Sequence, residues 1–300
     1  MNLSQLTDKV TNKANFLTVQ DYIDFGLEFL EYIEKNKQAL IVSQNETNYN
    51  FFQFNKEASY RVSRPFNSTL LFSQEMLEES ASIFLDYMGQ IKKYRSEVDL
   101  LDNSIINKSI YTIQQCIGFA LDGLPENQTN TARKLNGDLF EKLIQEIFKY
   151  VGVDIRSGII KVPVTVDDVE LFKMNYQHDL IIGDDDNLKL IGSVKTTSKD
   201  RIDKVFIDKF LYSKLTNTTV PHIAIFLHDV QRKKNADPKK FGINTTFLSG
   251  HFKGYTVKLN PLDGVYYFDP RPNMSTDTLL SKHIQTFDHL ICKDIWEFVD

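Results

Sequence analysis

Apolar residues recur at helical spacing through much of the N-terminal part of the chain. Between Leu17 and Leu40 a stripe runs through Val19, Ile23, Leu27, Leu30 and Ile33, with Gly26 as its one weak helix former. Ser73–Tyr94 and Ile105–Leu121 carry the same period and predict two further helices. The stretch Asn48–Pro65 between them mixes aromatic and polar residues: Tyr60 and Val62 share one face of a strand, Arg61 and Ser63 the other. An amphipathic edge strand is the reading its pattern favours, with Arg61 and Arg64 as DNA contacts the alternative. Pro125 to Thr131 (Pro-Glu-Asn-Gln-Thr-Asn-Thr) is the clearest loop and the best boundary. It divides the chain into a mainly helical N-terminal subdomain, residues 1–128, and a second domain, residues 129–300.

The second part alternates between the two periods. Leu139, Phe140, Leu143, Ile144, Ile147 and Phe148 mark a helix. His178–Ile182 and Leu188–Lys195 are short apolar runs around Gly183-Asp184-Asp185-Asp186-Asn187, whose residues favour a tight reversal, so they predict a β-hairpin. Past Lys195 the spacing of Ile202, Val205, Phe206 and Phe210 predicts a helix beginning near Lys199, with Thr197 or Ser198 able to accept from its first amides. His222–His228 is continuously apolar in its interior, as a central strand covered on both faces should be. Tyr255–Leu259 and Gly264–Phe268 read as a hairpin around Asn260 to Asp263, and Leu279–Phe298 as a closing helix. The expected class is α/β: a mixed central sheet flanked by helices, preceded by the helical subdomain.

Composition narrows the setting. Two cysteines, Cys116 and Cys292, in apolar helical contexts suit reduced buried thiols better than a disulfide, and no Cys/His cluster suggests zinc. The first residues lack a signal-peptide core and no apolar run reaches membrane-spanning length, which predicts a soluble, cytoplasmic protein without a membrane partner. A net charge of −5 argues against indiscriminate nucleic-acid binding. Locally the balance reverses: residues 189–214 hold seven Lys or Arg against three Asp. Local charge is what meets phosphate. The basic run from Gln231 to Lys240 is a second candidate for phosphate contact, or a solvated turn. His178, His222 and His228 are too scattered along the chain to argue for histidine chemistry.

That basic window also holds candidate catalytic residues. Ser193 and Lys195 are two apart on a strand and share a face, toward which Asp179 on the neighbouring strand can also point. Phosphodiester hydrolysis with magnesium needs hard oxygen ligands for the ion, a group that neutralises charge on the phosphate, and a water in line with the scissile bond. Asp179 and Lys195 supply part of this. Position 193 holds serine rather than a second carboxylate, and Asp208 on the following helix can replace it. At about 100° per residue Asp208 lies about 20° around that helix from Arg201, so both project toward one surface. Singly, each residue has an ordinary reading, as a capping acid, a wet strand face or a solvated charge. Their joint order and spacing lifts the signal.

With these residues in place, the region from about 130 to 230 resembles the PD-(D/E)XK nucleases, and within them the type II restriction endonucleases of the CCGG/CCNGG group, in which the strand carboxylate is Ser or Thr and an acid has moved to the next helix. His178-Asp179 stands at that family's Pro-Asp, Ser193-Val194-Lys195 matches Ser-x-Lys, and Asp208 takes the place of the relocated Glu. Lys199-Asp200-Arg201 matches the triplet that reads C and G bases, and Arg133 to Glu141 looks like the start of the first core helix, with Glu141 as an additional metal-site acid. The base-reading roles have an independent chemical warrant: Arg201 can donate twice to guanine O6 and N7, and Asp200 can accept from cytosine N4. The resemblance implies a restriction-endonuclease-like core, Mg2+ held by Asp179, Asp208 and Glu141, double-stranded DNA as substrate, and a partner methyltransferase. Cutting both strands of a twofold site implies a homodimer, with pairing into tetramers left open. A repair or junction-resolving nuclease without sequence specificity, and a DNA-binding module that kept the fold without the activity, are the alternatives.

Overall fold

A computed structural model of the chain describes residues 1–54, 61–184, 187–199, 201–233, 237 and 240–299. The helices begin with α1 (Leu3–Thr11) and α2 (Val19–Asn36), the second opened by a capping box between Thr18 and Asp21. The stripe that starts at Leu17 does not stay helical to Leu40: the chain turns extended at Lys37 and forms strand β1 (Lys37–Val42). This strand pairs antiparallel with β2 (Tyr49–Phe54), which in turn pairs with β3 (Arg61–Val62) and β4 (Phe66–Asn67). A four-stranded sheet thus sits within a region whose pattern predicted helices and one edge strand. Tyr60 lies outside the described residues.

Helices α3 (Gln74–Tyr94) and α4 (Ser104–Leu121) stand where their periodicity placed them, whereas α5 (Thr129–Tyr150) starts inside the stretch Pro125 to Thr131 that reads as a loop, of which Glu126–Gln128 form a 3-10 turn. Strands β5 (Arg156–Val166), β6 (Val169–Gly183) and β7 (Leu188–Thr197) follow as an antiparallel meander, so the expected hairpin forms, with a much longer first arm. Asp185 and Asp186 of its turn are outside the described residues. Next come α6 (Ile202–Thr216), β8 (His222–His228), the short ladder of β9 (Val230–Arg232) with β10 (Ile243–Thr245), α7 (Ser249–Lys258), β11 (Gly264–Asp269) and β12 (Ile284–Thr286). Of the basic run after β9, residues 234–236, 238 and 239 are outside the description.

Two expectations fail here. Tyr255–Leu259 is not a strand: Tyr255 to Lys258 lie in α7, where Phe252 is buried against Phe206, ring centroids 5.4 Å apart, and this packing overrides the strand preference of Tyr255, Thr256 and Val257. The strand β11 pairs parallel with β8 instead of folding back on its predecessor. The closing helix does not begin at Leu279. Ile284 is needed at the sheet edge, where it pairs with Val265, and helical backbone starts at Phe287, passing through a π-turn at Leu290–Asp294 before Ile295–Val299.

The chain forms two compact units. One comprises Met1–Gln90, Asp99–Ile147 and Val230–Thr246. Its core is aromatic: Phe52 stacks on Phe66 at 4.5 Å, and Phe119 of α4 meets both edge-on. Gly26 is explained by close packing, since a Cβ there would come within 3.2 Å of Leu77 and 3.5 Å of Ile113. Arg64 is committed to structure: its backbone and guanidinium donate to Asp122 at 2.8, 3.1 and 2.8 Å.

The other unit comprises Ile91–Val98, Phe148–Asp229 and Phe247–Asp300. Its six-stranded sheet has the order β12-β11-β8-β7-β6-β5, antiparallel from β5 to β7 and parallel from β7 to β12. Phe206 and Phe252 join Phe226 and Tyr267 in the core on one face, and Phe287 stacks on Phe268 on the other at 4.6 Å. Strand β8 is buried through its apolar run, as its continuous apolarity predicted. Cys116 and Cys292 are buried free thiols, and no helix among the described residues is long and apolar enough to cross a membrane.

Candidate active site

Asp179, Ser193 and Lys195 come together where the antiparallel and parallel parts of the second unit's sheet meet. Strand β7 pairs with β6 only from Gly183 to Leu180, the last pair being Leu180 with Gly192. Just beyond, Asp179 reaches across with its side chain: its Oδ2 accepts the Val194 N–H at 2.8 Å and an ion pair from Lys195 Nζ at 2.7 Å. A carboxylate therefore caps the end of the ladder. On the other side of β6, Arg156 pairs with Ile181 and Gly158 with His178, so three steps of β6 oppose two of β5. This bulge contains Asp179, and such bulges re-aim side chains.

Ser193 and Lys195 alternate with Val194 and lie opposite Ala224 and Phe226 of β8. Those two belong to the core beneath α6, so the serine and lysine belong to the sheet face that α6 covers. Asp179 is 11% exposed and Lys195 31%, enough to leave the lysine reachable from solvent. After Thr197 the chain makes a turn instead of starting a helix at Lys199. The Ser198 N–H donates to the His228 carbonyl at 3.4 Å, fastening the turn to the end of β8, and the Arg201 N–H donates to the Ser198 carbonyl at 3.1 Å. Thr197 Oγ1 accepts the Lys199 amide at 3.3 Å, whereas Arg201, the residue preceding the first turn of α6, makes no side-chain cap. Lys199 and Arg201 are exposed, and Asp200 lies outside the described residues.

Asp208 stands two turns into α6, 15% exposed, and pairs with Lys204 one turn earlier. Its charge also acts on Tyr176, whose hydroxyl burial pushes up, and on His222. Glu141 is half-buried on α5, in the first unit. Among the described residues no three His, Cys, Asp or Glu side chains come together as a ready-made metal cage. The donor chemistry at Asp179 is nonetheless compatible with Mg2+, which keeps several waters and takes one or two carboxylates together with substrate phosphate.

One relation was invisible in the sequence. His178 and His222, distant along the chain, have ring centroids 6.2 Å apart, packed with Tyr176 and Tyr212. Burial lowers their pKa to about 3 and about 4, so both are neutral imidazoles at neutral pH. His222 Nδ1 then donates to the Val220 carbonyl at 2.8 Å. They are a buried aromatic layer under α6, and no spacing signal announces such a pair.

No protein-family model matches the sequence, and no curated protein does. Among solved structures, the type IIP restriction endonuclease Kpn2I superposes over 99% of this chain and 97% of its own, with a TM-score of 0.69 at 16% identity. The restriction endonuclease PspGI, solved as a complex with substrate DNA, covers 74% of this chain and 90% of its own at 14% identity and a TM-score of 0.42. The chain shares with Kpn2I the restriction-endonuclease fold, a mixed central sheet flanked by helices.

Proposed function

We propose that this protein is a type II restriction endonuclease that hydrolyses DNA phosphodiester bonds at a specific, palindromic or near-palindromic site with a CCGG or CCNGG-like core. The observation that carries this reading is the Asp179–Lys195 pair, 2.7 Å apart at the end of the β6–β7 ladder and followed directly by the exposed Lys199 and Arg201, in a chain with a restriction-endonuclease fold.

Asp179 holds the Lys195 ammonium at the mouth of the ladder, where it can neutralise charge developing on a phosphate oxygen and orient the attacking water. Ser193, on the same face, offers a hydroxyl to that water or phosphate. Asp179 and Asp208 would hold Mg2+, which when bound supplies a Lewis acid for the phosphate and lowers the pKa of water. Arg201 would donate to guanine and Asp200 accept from cytosine, with Lys199 on the backbone. The protein works as a homodimer, so that each protomer cuts one strand of a twofold site.

The test is Lys195→Ala. The wild type should cut DNA with magnesium and stop when the metal is chelated. The variant should bind the same DNA with its cutting rate reduced by at least about 100-fold. Cleavage that survives the substitution would remove the catalytic assignment, and binding without cleavage by the wild type would leave only a DNA-binding module.

A further inference from the structure

Four rings form a closed circuit beneath α6. Tyr176 and His178 of β6 lie parallel with centroids 6.0 Å apart, and His178 meets His222 of β8 edge-on at 6.2 Å. His222 meets Tyr212 of α6 at 5.6 Å, and Tyr212 returns to Tyr176 at 5.9 Å. Tyr176, His178 and His222 are 3%, 4% and 2% exposed. Apolar packing accounts for the rings but not for their polar atoms. The Tyr176 hydroxyl, His178 Nε2 and His222 Nε2 are all shielded from solvent, and none has a hydrogen-bond partner among the described residues. Buried polar groups in folded proteins are nearly always paired, so these adjoining atoms call for an occupant that pairs them. Their roles are partly fixed by chemistry. The Val220 carbonyl can only accept, so His222 Nδ1 carries the proton donated to it, and in the neutral ring Nε2 is left with a bare lone pair. The Tyr176 hydroxyl is a donor that burial keeps protonated. It stands diagonally across the circuit from His222, and the two do not bond directly.

We infer that Tyr176, His178 and His222 bind one internal water molecule, which accepts from the Tyr176 hydroxyl, donates to His222 Nε2 and bonds His178 Nε2, and that this water positions Asp179. Water has the two donors and two acceptors that such a set requires, and internal waters make two to four bonds of this kind. Two imidazoles bridged by one water, with N···O of about 2.9 Å on each side, have ring centres roughly 6 Å apart, which is the spacing of His178 and His222. Among the described residues no group of three His, Cys, Asp or Glu completes a metal cage here. The consequence lies in what His178 adjoins. It immediately precedes Asp179 in the bulge of β6, where the ladder to β7 has already ended at Leu180. A water that ties His178 to His222 therefore anchors the bulge to β8, two strands away, and supports from behind the reach of Asp179 to the Val194 amide and Lys195. The charge of Asp208 acts on Tyr176 and His222, so the same bridge underlies both candidate metal acids. Its value for catalysis rests on the proposed nuclease reading. The water and its hold on Asp179 do not.

The experiment joins a high-resolution crystal structure of the full chain to hydrogen exchange at the Val194 amide, the group whose proton Asp179 accepts. In the wild type one ordered water should stand within about 3.2 Å of all three atoms. The double substitution Tyr176→Phe with His222→Phe keeps four rings but leaves the water a single partner, fewer than an internal water needs, so the water should be lost. Val194 should then exchange on the order of 10-fold faster while the amides of β11 exchange as before, which a general loss of stability would not produce. Should the double variant not fold, Tyr176→Phe alone, which deletes one oxygen and keeps the ring, is read for the same local acceleration. A wild-type centre that holds no water or holds a metal ion overturns the inference, and so does a Val194 exchange rate that ignores the substitutions. Cleavage assayed on the same wild-type sample keeps the two readings apart: the water and the faster exchange without any DNA cleavage sink the nuclease reading alone, and cleavage by an enzyme with no water at this centre sinks only this one.

Discussion

A single carboxylate oxygen does two jobs at Asp179, accepting a backbone amide and an ammonium from consecutive residues of the next strand. This holds Lys195 beside the carboxylate, and it ties the local end of the sheet to the integrity of the pair. At Arg201 the expectation is different, because an exposed side chain at the head of α6 can be removed without touching the core. Arg201→Ala should keep the wild-type melting temperature and lose about 1–3 kcal/mol of discrimination between cognate and random DNA, measured as the ratio of the two affinities at fixed salt. Unchanged discrimination would remove the guanine assignment. A second expectation concerns His222. Burial holds its folded pKa at about 4, below the 6.5 of an unperturbed histidine. Its stabilising contribution is therefore complete above pH 6.5 and is lost as pH falls from 6.5 toward 4, at about 1.4 kcal/mol per pH unit. Denaturant unfolding at pH 7 and pH 5 should show the wild type losing about 2 kcal/mol more than His222→Phe. Equal losses would mean that the imidazole is not buried in its neutral form. The Asp179–Lys195 contact was legible in the sequence because a hairpin register and strand alternation suffice to bring the two together. The bulge at Asp179 and the nearness of His178 to His222 were not, since both depend on pairing with β5 and β8.

Elements with long, strong periodicity read correctly, and short ones did not. Helices α3, α4 and α5 carry enough turns for the apolar stripe to define them, and β8 is apolar along its buried length. Strand β12 has three residues and α7 holds Tyr-Thr-Val, a sequence that favours strand until Phe252 anchors it to α6. Strand β1 was masked because its apolar positions continue the phase of α2 closely enough to look like the same stripe. In this setting Arg64 belongs to architecture. Its three bonds tie the segment between β3 and β4 to the end of α4, and both partners are largely buried. Arg64→Ala should cost about 2 kcal/mol of stability by removing the guanidinium that pairs with Asp122, and should leave DNA affinity unchanged. A loss of DNA affinity at an unchanged melting temperature would instead make Arg64 a DNA contact.

For the whole molecule, charge and fold point the same way. The chain carries a net charge of −5, while the stretch from β7 through α6 concentrates lysine and arginine around the candidate site. The fold is shared with Kpn2I at an identity too low for sequence matching to have found it, so the site has to be argued from its own chemistry. The most direct measurement is digestion of a long natural DNA of known sequence, with the fragment ends sequenced. Discrete fragments are expected in magnesium and none with a chelator, every end lying in a common twofold motif with a CCGG or CCNGG-like core. A smear of random ends, or intact DNA in the presence of magnesium, would contradict it.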